Sequence, residues 1–306
     1  FMKFVVVGPG AMGCLFAASL KKAGHGVTVV DYKPERAAAI SANGLRIEGI
    51  SGGYRVDVPA VTGGNELQAD AVIICVKSHK TRESMLELSS WLDPQTPVLT
   101  LQNGLGNLDI IEEVFGRERA LGGVTSEGAI LLGPGHARHA GKGQTTIGPA
   151  GKSARMIVTA FREAGFEAFE ADEVENLVWG KLIVNVGINA LAAITGLKNG
   201  VLLGLPGTRA VMEEAVREAV QVADKKGIDL PYADPLGRVL EVCRGTSDNV
   251  ASMLQDILNS RVTEVAYING AIVREGKKLH VPTPVNHTLT CIVEALQGTY
   301  DRRMHG

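Results

Sequence analysis

Two halves of different construction are predicted, an α/β domain followed by an all-α domain, because the chain changes its hydropathy period near residue 172. Ahead of that point short β-branched runs alternate with amphipathic stretches, and beyond it the strand signal disappears while helical periodicity continues. A length of 306 residues also exceeds the usual span of one hydrophobic core. The predicted domains are residues 1–172 and 173–306.

The first strand is read at residues 3–8, where a β-branched run meets glycines, and a helical period follows over 12–22 until Gly24 stops it. Further strands are expected at 27–31, 71–76 and 97–101, with helical stretches near 34–42, 80–91 and 108–115. Such alternation builds a parallel, doubly wound sheet. Between residues 120 and 149, short β-like pieces punctuated by Gly133, Gly135, Gly141 and Gly143 predict antiparallel strands that close the sheet. A helix at 155–164 and a strand at 167–169 complete this half. The second half reads as helices at 174–194, 209–226, 234–243, 250–275 and 283–297, separated by Pro206, Gly227, Pro231, Gly276 and Pro282.

Composition narrows the function classes. With 31 basic and 33 acidic side chains the surface carries no excess positive field, so neither nucleic acid nor an anionic membrane surface is expected as a partner. The longest apolar runs, such as 71–76 and 182–188, fall far short of the roughly 20 residues that span a bilayer. The opening residues lead straight into a strand pattern without a charged leader and cleavage site, so a cytoplasmic protein is expected. Cys14, Cys75, Cys243 and Cys291 are scattered through apolar segments, which reads as buried reduced thiols rather than a zinc site or redox pair. His136 and His139 lie in a Gly-rich stretch without acidic or thiol neighbours, so no metal is expected there.

Gly8, Gly10 and Gly13 form a G-x-G-x-x-G turn, Gly8-Pro9-Gly10-Ala11-Met12-Gly13, directly after the first strand and at the mouth of its helix. Bare backbone at that place lets a pyrophosphate approach the helix amides, so this domain is expected to be a Rossmann domain that binds a dinucleotide. Asp31 closes the second strand about 20 residues on, where a carboxylate accepts hydrogen bonds from an adenosine ribose. That favours NADH, since a 2′-phostphate would meet a like charge, although Lys33 and Arg36 stand close enough in sequence to offset it. An acidic residue that merely ends a strand is the alternative. Lys77 follows the third strand on the ligand-binding edge and either reaches the cofactor or stays solvated. Asn103, in the run Leu101-Gln102-Asn103-Gly104-Leu105-Gly106, follows the fourth strand on the same edge and offers an amide toward the nicotinamide or the reacting carbonyl.

In the helical half Lys181, Asn185 and Asn189 recur every four residues and make one polar stripe on a helix that is otherwise apolar. The stripe must meet something polar, whether water, an ordinary ion pair or a substrate. In the functional reading Lys181 donates a proton to a ketone oxygen while the nicotinamide delivers hydride to the carbon, in the cleft between the domains. A lysine pKa near 10.4 is too high for that task, so desolvation must lower it.

A further run joins Asp248-Asn249-Val250-Ala251-Ser252 to Arg261-Val262-Thr263-Glu264 and Tyr267-Ile268-Asn269-Gly270. Together with the glycine turn, the 102–106 loop and the Lys-x-x-x-Asn-x-x-x-Asn helix, it resembles the ketopantoate reductases (2-dehydropantoate 2-reductases) over essentially the whole chain. The resemblance implies reduction of 2-dehydropantoate to (R)-pantoate by NAD(P)H, a step toward pantothenate and coenzyme A. It implies Lys181 as general acid and Glu264 as an aid to substrate binding and catalysis. It also implies Asn103, Asn185, Asn189, Asn249 and Ser252 as substrate contacts, with Lys77 and Asn103 near the cofactor. The family typically uses NADPH and often has a basic residue just past the second strand, where this chain has Tyr32. Both dinucleotides therefore remain open, with the local charge leaning to NADH. Two rival readings stand beside it, a related 2-hydroxy acid dehydrogenase and a non-catalytic dinucleotide-sensing protein; a homodimer through the helical half is left open.

Ser252 and Glu264 stand twelve residues apart, about 18 Å along an unbroken helix and too far for one small acid to touch both. The expectation is a short helix over 252–257, a turn near 259–262 and a fresh helix carrying Glu264. A carboxylate beside Lys181 would raise the lysine pKa, so a substrate hydroxyl or water is expected between them.

Overall fold

The computed structural model describes residues 1–63 and 67–302. The chain forms two compact units, Phe1–Gln102 with Asn107–Val174, and Asn103–Gly106 with Glu175–Gly306.

The first unit runs β1 (Lys3–Val7), α1 (Ala11–Lys22), β2 (Gly26–Val30), α2 (Pro34–Asn43), β3 (Leu45–Gly49), β4 (Tyr54–Val56), β5 (Ala60–Val61), β6 (Ala71–Ile74), α3 (Thr81–Ser89), β7 (Val98–Thr100) and α4 (Asn107–Phe115). It continues with β8 (Ala120–Thr125), β9 (Gly128–Gly133), β10 (His136–Gly141), β11 (Gln144–Gly148), α5 (Lys152–Glu163) and β12 (Glu167–Glu170). Eight strands make the main sheet in the order β12-β11-β8-β7-β6-β1-β2-β5, and β1 lies between parallel neighbours with Val5 opposite Thr28 and Val72.

Strand alternation sorts the apolar runs into two cores. Phe4, Val6, Val29 and Ile73 face a cluster built with Leu15 and Phe16 of α1 and Phe161 of α5, while Val5, Val7, Val72 and Ile74 face one built with Met85 of α3 and Ile111 of α4. A sheet covered on both faces needs continuous apolar strands rather than alternating ones, which is why these segments read so clearly.

Residues 120–149 differ from the expectation. β8 joins the main sheet parallel to β7, and only β11 returns antiparallel to it. β9 and β10 leave for a second sheet, order β4-β3-β10-β9, whose buried Leu45, Ile47 and Ala137 share a cluster with α1. The strands at 45–61 were not expected, because they are short and glycine interrupts them at Gly49, Gly52 and Gly53. Two side-chain expectations also change. His136 pairs with Glu48 at 3.1 Å and the buried His139 with Glu127 at 2.6 Å, acids brought close by folding rather than by sequence. Cys14 and Cys243 are buried, whereas Cys291 is exposed.

The second unit comprises α6 (Glu175–Thr195), α7 (Asn199–Gly204), α8 (Pro206–Lys226), α9 (Pro235–Gly245), α10 (Ser252–Leu258), α11 (Asn269–Leu279) and α12 (Pro284–Gln297). Helix α6 is its axis, packed by α8, α9, α10 and α12. Among the described residues it is the one helix long and apolar enough to cross a membrane, yet 67% of its apolar window is buried inside the protein. A methyl group at Gly187 would lie 2.7 Å from Val239 and 3.0 Å from Val216, so glycine is what lets neighbouring helices approach it. The buried Glu218 of α8 accepts hydrogen bonds from the Val285 and Asn286 amides at 2.8 and 2.9 Å, at the positive end of α12. The Asn286 side chain bonds Glu218 and Asn269, and Asn269 donates to the Val186 carbonyl of α6 at 3.2 Å. This buried chain of amides fastens the start of α11 to the middle of α6.

Candidate functional site

The first unit offers a phosphate cradle. Gly8 adopts φ +90°, and a methyl group there would lie 2.7 Å from the Val76 backbone. A methyl group at Gly13 would come within 2.2 Å of the Gly8 carbonyl, so that position permits the α1 start to sit against the end of β1. The Gly10 amide donates to the Gly8 carbonyl at 2.8 Å, which closes the turn. Gly10 caps α1 without any side-chain hydrogen bond, and the first turn holds no acidic residue. The amides of Ala11, Met12 and Gly13 thus form a helix N-terminus with no acidic side chain in its own first turn, a setting that suits a pyrophosphate. These residues fit a dinucleotide.

Lys77, partly buried, follows β6 and precedes a 3₁₀ turn at Ser78–Lys80. The loops around it are set by a polar lattice not anticipated from sequence: Gln102 donates to the Val76 carbonyl at 2.6 Å and to Thr81 at 2.9 Å, while Asn107 bridges Thr81 and Ser78. The residue types were visible, but their partners lie more than 20 positions away.

Asp31 sits just past β2 and is 1% exposed. Its carboxylate accepts from Arg36 through both oxygens, Nη2 at 2.7 Å and Nε, and from the Lys33 amide at 3.0 Å. Burial works to lower the Arg36 pKa, but the pairing with Asp31 outweighs it and leaves the guanidinium above its ordinary value.

The second unit carries the polar stripe. Lys181, Asn185 and Asn189 lie on α6, which packs against α10, the helix that begins at Ser252. Lys181 and Asn185 are partly buried and Asn189 is buried. Burial pulls the Lys181 ammonium down from 10.5 to about 8, while the charge of Glu264 works in the opposite direction. Desolvation disfavours the cation, and the carboxylate only partly restores it. The buried side-chain nitrogen of Asn185 has no hydrogen-bond partner among the described residues, so this stripe holds a donor ready for an added acceptor.

Glu264 is 7% exposed and does not stand on a fresh α-helix as expected. α10 ends at Leu258, residues 259–264 are irregular, and Glu264 caps a 3₁₀ turn at Val265–Tyr267, with α11 beginning only at Asn269. The break separates Ser252 from Glu264 as the spacing required, but a tight turn rather than a helix presents the carboxylate. Loop Asn103–Gly106 belongs to this unit: the Leu105 amide donates to the Tyr267 carbonyl at 2.9 Å, and Gly104, at φ +84°, leaves 2.4 Å between a would-be methyl group and that oxygen. Asn103 is thereby fixed beside the segment that follows Glu264.

Asn249 and Ser252 are exposed, Asn249 in the turn before α10 and Ser252 at its first position. Asn199 was not singled out from sequence, yet its amide donates to the Asn249 carbonyl at 3.1 Å and its side chain to Thr246 at 2.9 Å, which sets the course of this turn. Among the described residues no three His, Cys, Asp or Glu side chains converge to hold a metal ion.

Residues 4–152 match the family described as ketopantoate reductase PanE/ApbA, and residues 173–297 match the description ketopantoate reductase PanE/ApbA C terminal. A 2-dehydropantoate 2-reductase of Halobacterium salinarum is 36% identical over 302 residues, 97% of this chain and 99% of that protein. The crystal structure of a PanE/ApbA family ketopantoate reductase from Ralstonia eutropha superimposes with a TM-score of 0.90 at 33% identity, covering 97% of this chain and 99% of the other. A D-mandelate dehydrogenase in a ternary structure with NADH and anilino(oxo)acetate also gives 0.90, at 30% identity, covering 98% and 100%.

Proposed function

The chain belongs to the ketopantoate reductase family, and from that premise we propose that it reduces 2-dehydropantoate to (R)-pantoate with NAD(P)H, in the biosynthesis of pantothenate and coenzyme A. The observation that carries the reading is Lys181, a lysine brought to about 8 by burial on a stripe whose Asn185 amide lacks a partner among the described residues. A group with that pKa is still protonated at neutral pH and releases its proton readily, as a general acid must.

When bound at the Gly8–Gly13 turn, the reduced nicotinamide supplies hydride to the carbonyl carbon. The residues of this chain do the rest. Lys181 Nζ hydrogen-bonds the ketone oxygen and passes it a proton as the alkoxide forms, and Asn185 directs its unpartnered amide at the substrate. Glu264 accepts a hydrogen bond from the substrate's primary hydroxyl, which keeps its charge near Lys181 without a proton passing between them. Asn103 orients the reacting end, while Asn189, Asn249 and Ser252 enclose the remaining polar groups. A cytoplasmic location suits a reductase acting on a diffusible small acid.

A second reading, a 2-hydroxy acid dehydrogenase of different substrate, is favoured by the likeness to D-mandelate dehydrogenase. One steady-state absorbance panel separates the two: 2-dehydropantoate, benzoylformate and smaller 2-oxo acids, each with NADH and NADPH. The proposal expects the highest kcat/KM with 2-dehydropantoate. A higher value with benzoylformate would transfer the assignment, and dinucleotide binding without oxidation of any substrate would indicate a sensor.

A further inference from the structure

Lys181 stands on a long α-helix, whereas Glu264, whose charge acts on it, stands in the stretch between α10 and α11 that forms no α-helix. A side chain on a helix is placed by the repeating hydrogen bonds of that helix, and one on a short turn is placed by what its neighbours hold. Two ties reach Glu264, one from either side along the chain. Before it, the buried Thr263 donates through its amide and its hydroxyl, both at 2.8 Å, to Oε1 of Gln297 on α12, a helix that packs on α6. After it, the Tyr267 and Ile268 amides donate to the Glu264 carbonyl at 2.9 and 3.1 Å, and the next residue, Asn269, is 0% exposed. Asn269 Nδ2 donates to the Val186 carbonyl of α6 at 3.2 Å and to Asn286 Oδ1 at 3.0 Å.

At position 269 the donors of asparagine matter most. Its primary amide has two N–H groups and makes two donated bonds, while the buried Oδ1 has no partner among the described residues. A buried acceptor left without a partner costs stability, so the donated bonds, not the amide as a whole, account for asparagine here. The bond to Val186 sets the turn against α6 at the residue next to Asn185, one helical turn and a little more from Lys181. The attraction between Glu264 and Lys181 varies with their separation, and most steeply where water is excluded. Slack in the turn therefore becomes a change in the proton affinity of the lysine.

We propose that Asn269 and Gln297 are positioning residues, two anchors that hold the turn of Glu264 against α6 and so fix the spacing between that carboxylate and the Lys181 ammonium. Both act through Glu264 rather than on the substrate. The inference rests on the roles of Lys181 and Glu264 under the proposed function. Burial draws Lys181 down to about 8 against the opposing pull of Glu264, so a carboxylate that drifts away opposes desolvation less and the ammonium loses its proton at lower pH.

The test uses the full chain with two substitutions that keep side-chain size, Asn269→Leu, which removes both donated bonds, and Gln297→Met, which removes the acceptor shared by Thr263. The Lys181 side chain is titrated by carbon-13 NMR of its Cε, a readout that needs no substrate, and kcat/KM for 2-dehydropantoate is measured beside it. The midpoint should fall below about 8 by roughly half a pKa unit or more in Asn269→Leu, and by less in Gln297→Met. In Asn269→Leu kcat/KM should fall about tenfold, with dinucleotide affinity within about twofold of the unaltered protein. In a Glu264→Gln background Asn269→Leu should add less than about twofold to the loss of kcat/KM and move the midpoint no further, because the carboxylate it positions is gone. Losses that multiply in full across the double variant, or a Lys181 midpoint unchanged in both folded single variants, would overturn the anchors. Failure of the unaltered chain to reduce 2-dehydropantoate would instead overturn the reductase reading, and the NMR midpoints would still decide for or against the anchors.

Discussion

Replacing Glu264 with Gln should move the alkaline limb of the pH–rate profile to lower pH. Burial sets Lys181 at about 8 despite the opposing pull of the Glu264 charge. With that pKa the ammonium is roughly nine-tenths protonated at pH 7, half at pH 8 and roughly a tenth at pH 9. The limb of kcat/KM should therefore fall through about 8 in the unaltered enzyme. Glutamine keeps the shape and a hydrogen-bonding oxygen but removes the charge, so desolvation acts with less opposition. A carboxylate at close range typically moves a neighbour by at least one pKa unit, which places the variant's limb at roughly 7. At pH 8 the active fraction would drop from about one half to roughly one tenth. Initial rates over pH 5.5 to 10 with saturating dinucleotide, fitted for kcat and kcat/KM, measure both limbs. A limb that stays put or rises in Glu264→Gln would refute the electrostatic coupling; one near 10.5 in the unaltered enzyme would refute the desolvated lysine. Stability carries the opposite sign, since the unfolded chain binds more protons between about 8 and 10.5, and the penalty of burying Lys181 is relieved as pH rises through that window.

Three further substitutions probe separate parts of the account. Gly13→Ala forces a methyl group to within 2.2 Å of the Gly8 carbonyl and should weaken dinucleotide binding by more than about tenfold, read by fluorescence titration. Asn185→Leu removes the unpartnered amide and should lower kcat/KM for the 2-oxo acid by about 1–3 kcal/mol in steady-state rates, with dinucleotide affinity unchanged. Glu218→Ala strips three acceptor contacts from the start of α12 and should destabilise the helical unit by about 3 kcal/mol in denaturant unfolding, while Glu218→Gln recovers part of it.

Much of this molecule could be read before its structure. β1 and β6 are buried on both faces and so announce themselves as apolar runs, and α6 announces itself by a stripe of Lys181, Asn185 and Asn189 on an apolar cylinder. The break between Ser252 and Glu264 followed from helix rise once the resemblance set both residues at one substrate. Long-range pairing escaped. Short strands such as β4 and β5 exist because neighbouring chain supplies their hydrogen bonds, and nothing in Tyr54–Val56 or Ala60–Val61 encodes that neighbour. The 3₁₀ turn under Glu264 was likewise hidden, because the same residues satisfy a helical period. Asp31 shows the sharpest difference: its position invited a ribose, whereas Arg36, five residues along, had already taken the carboxylate.

The central claim is that Lys181 delivers the proton that accompanies hydride transfer. Single-turnover reduction of 2-dehydropantoate by the Lys181→Ala enzyme, preloaded with reduced dinucleotide, tests it most directly. Oxidation should slow by about 10²- to 10⁴-fold, with the dissociation constant for the dinucleotide within about twofold of the unaltered protein. A single-turnover rate equal to that of the unaltered enzyme would contradict the mechanism.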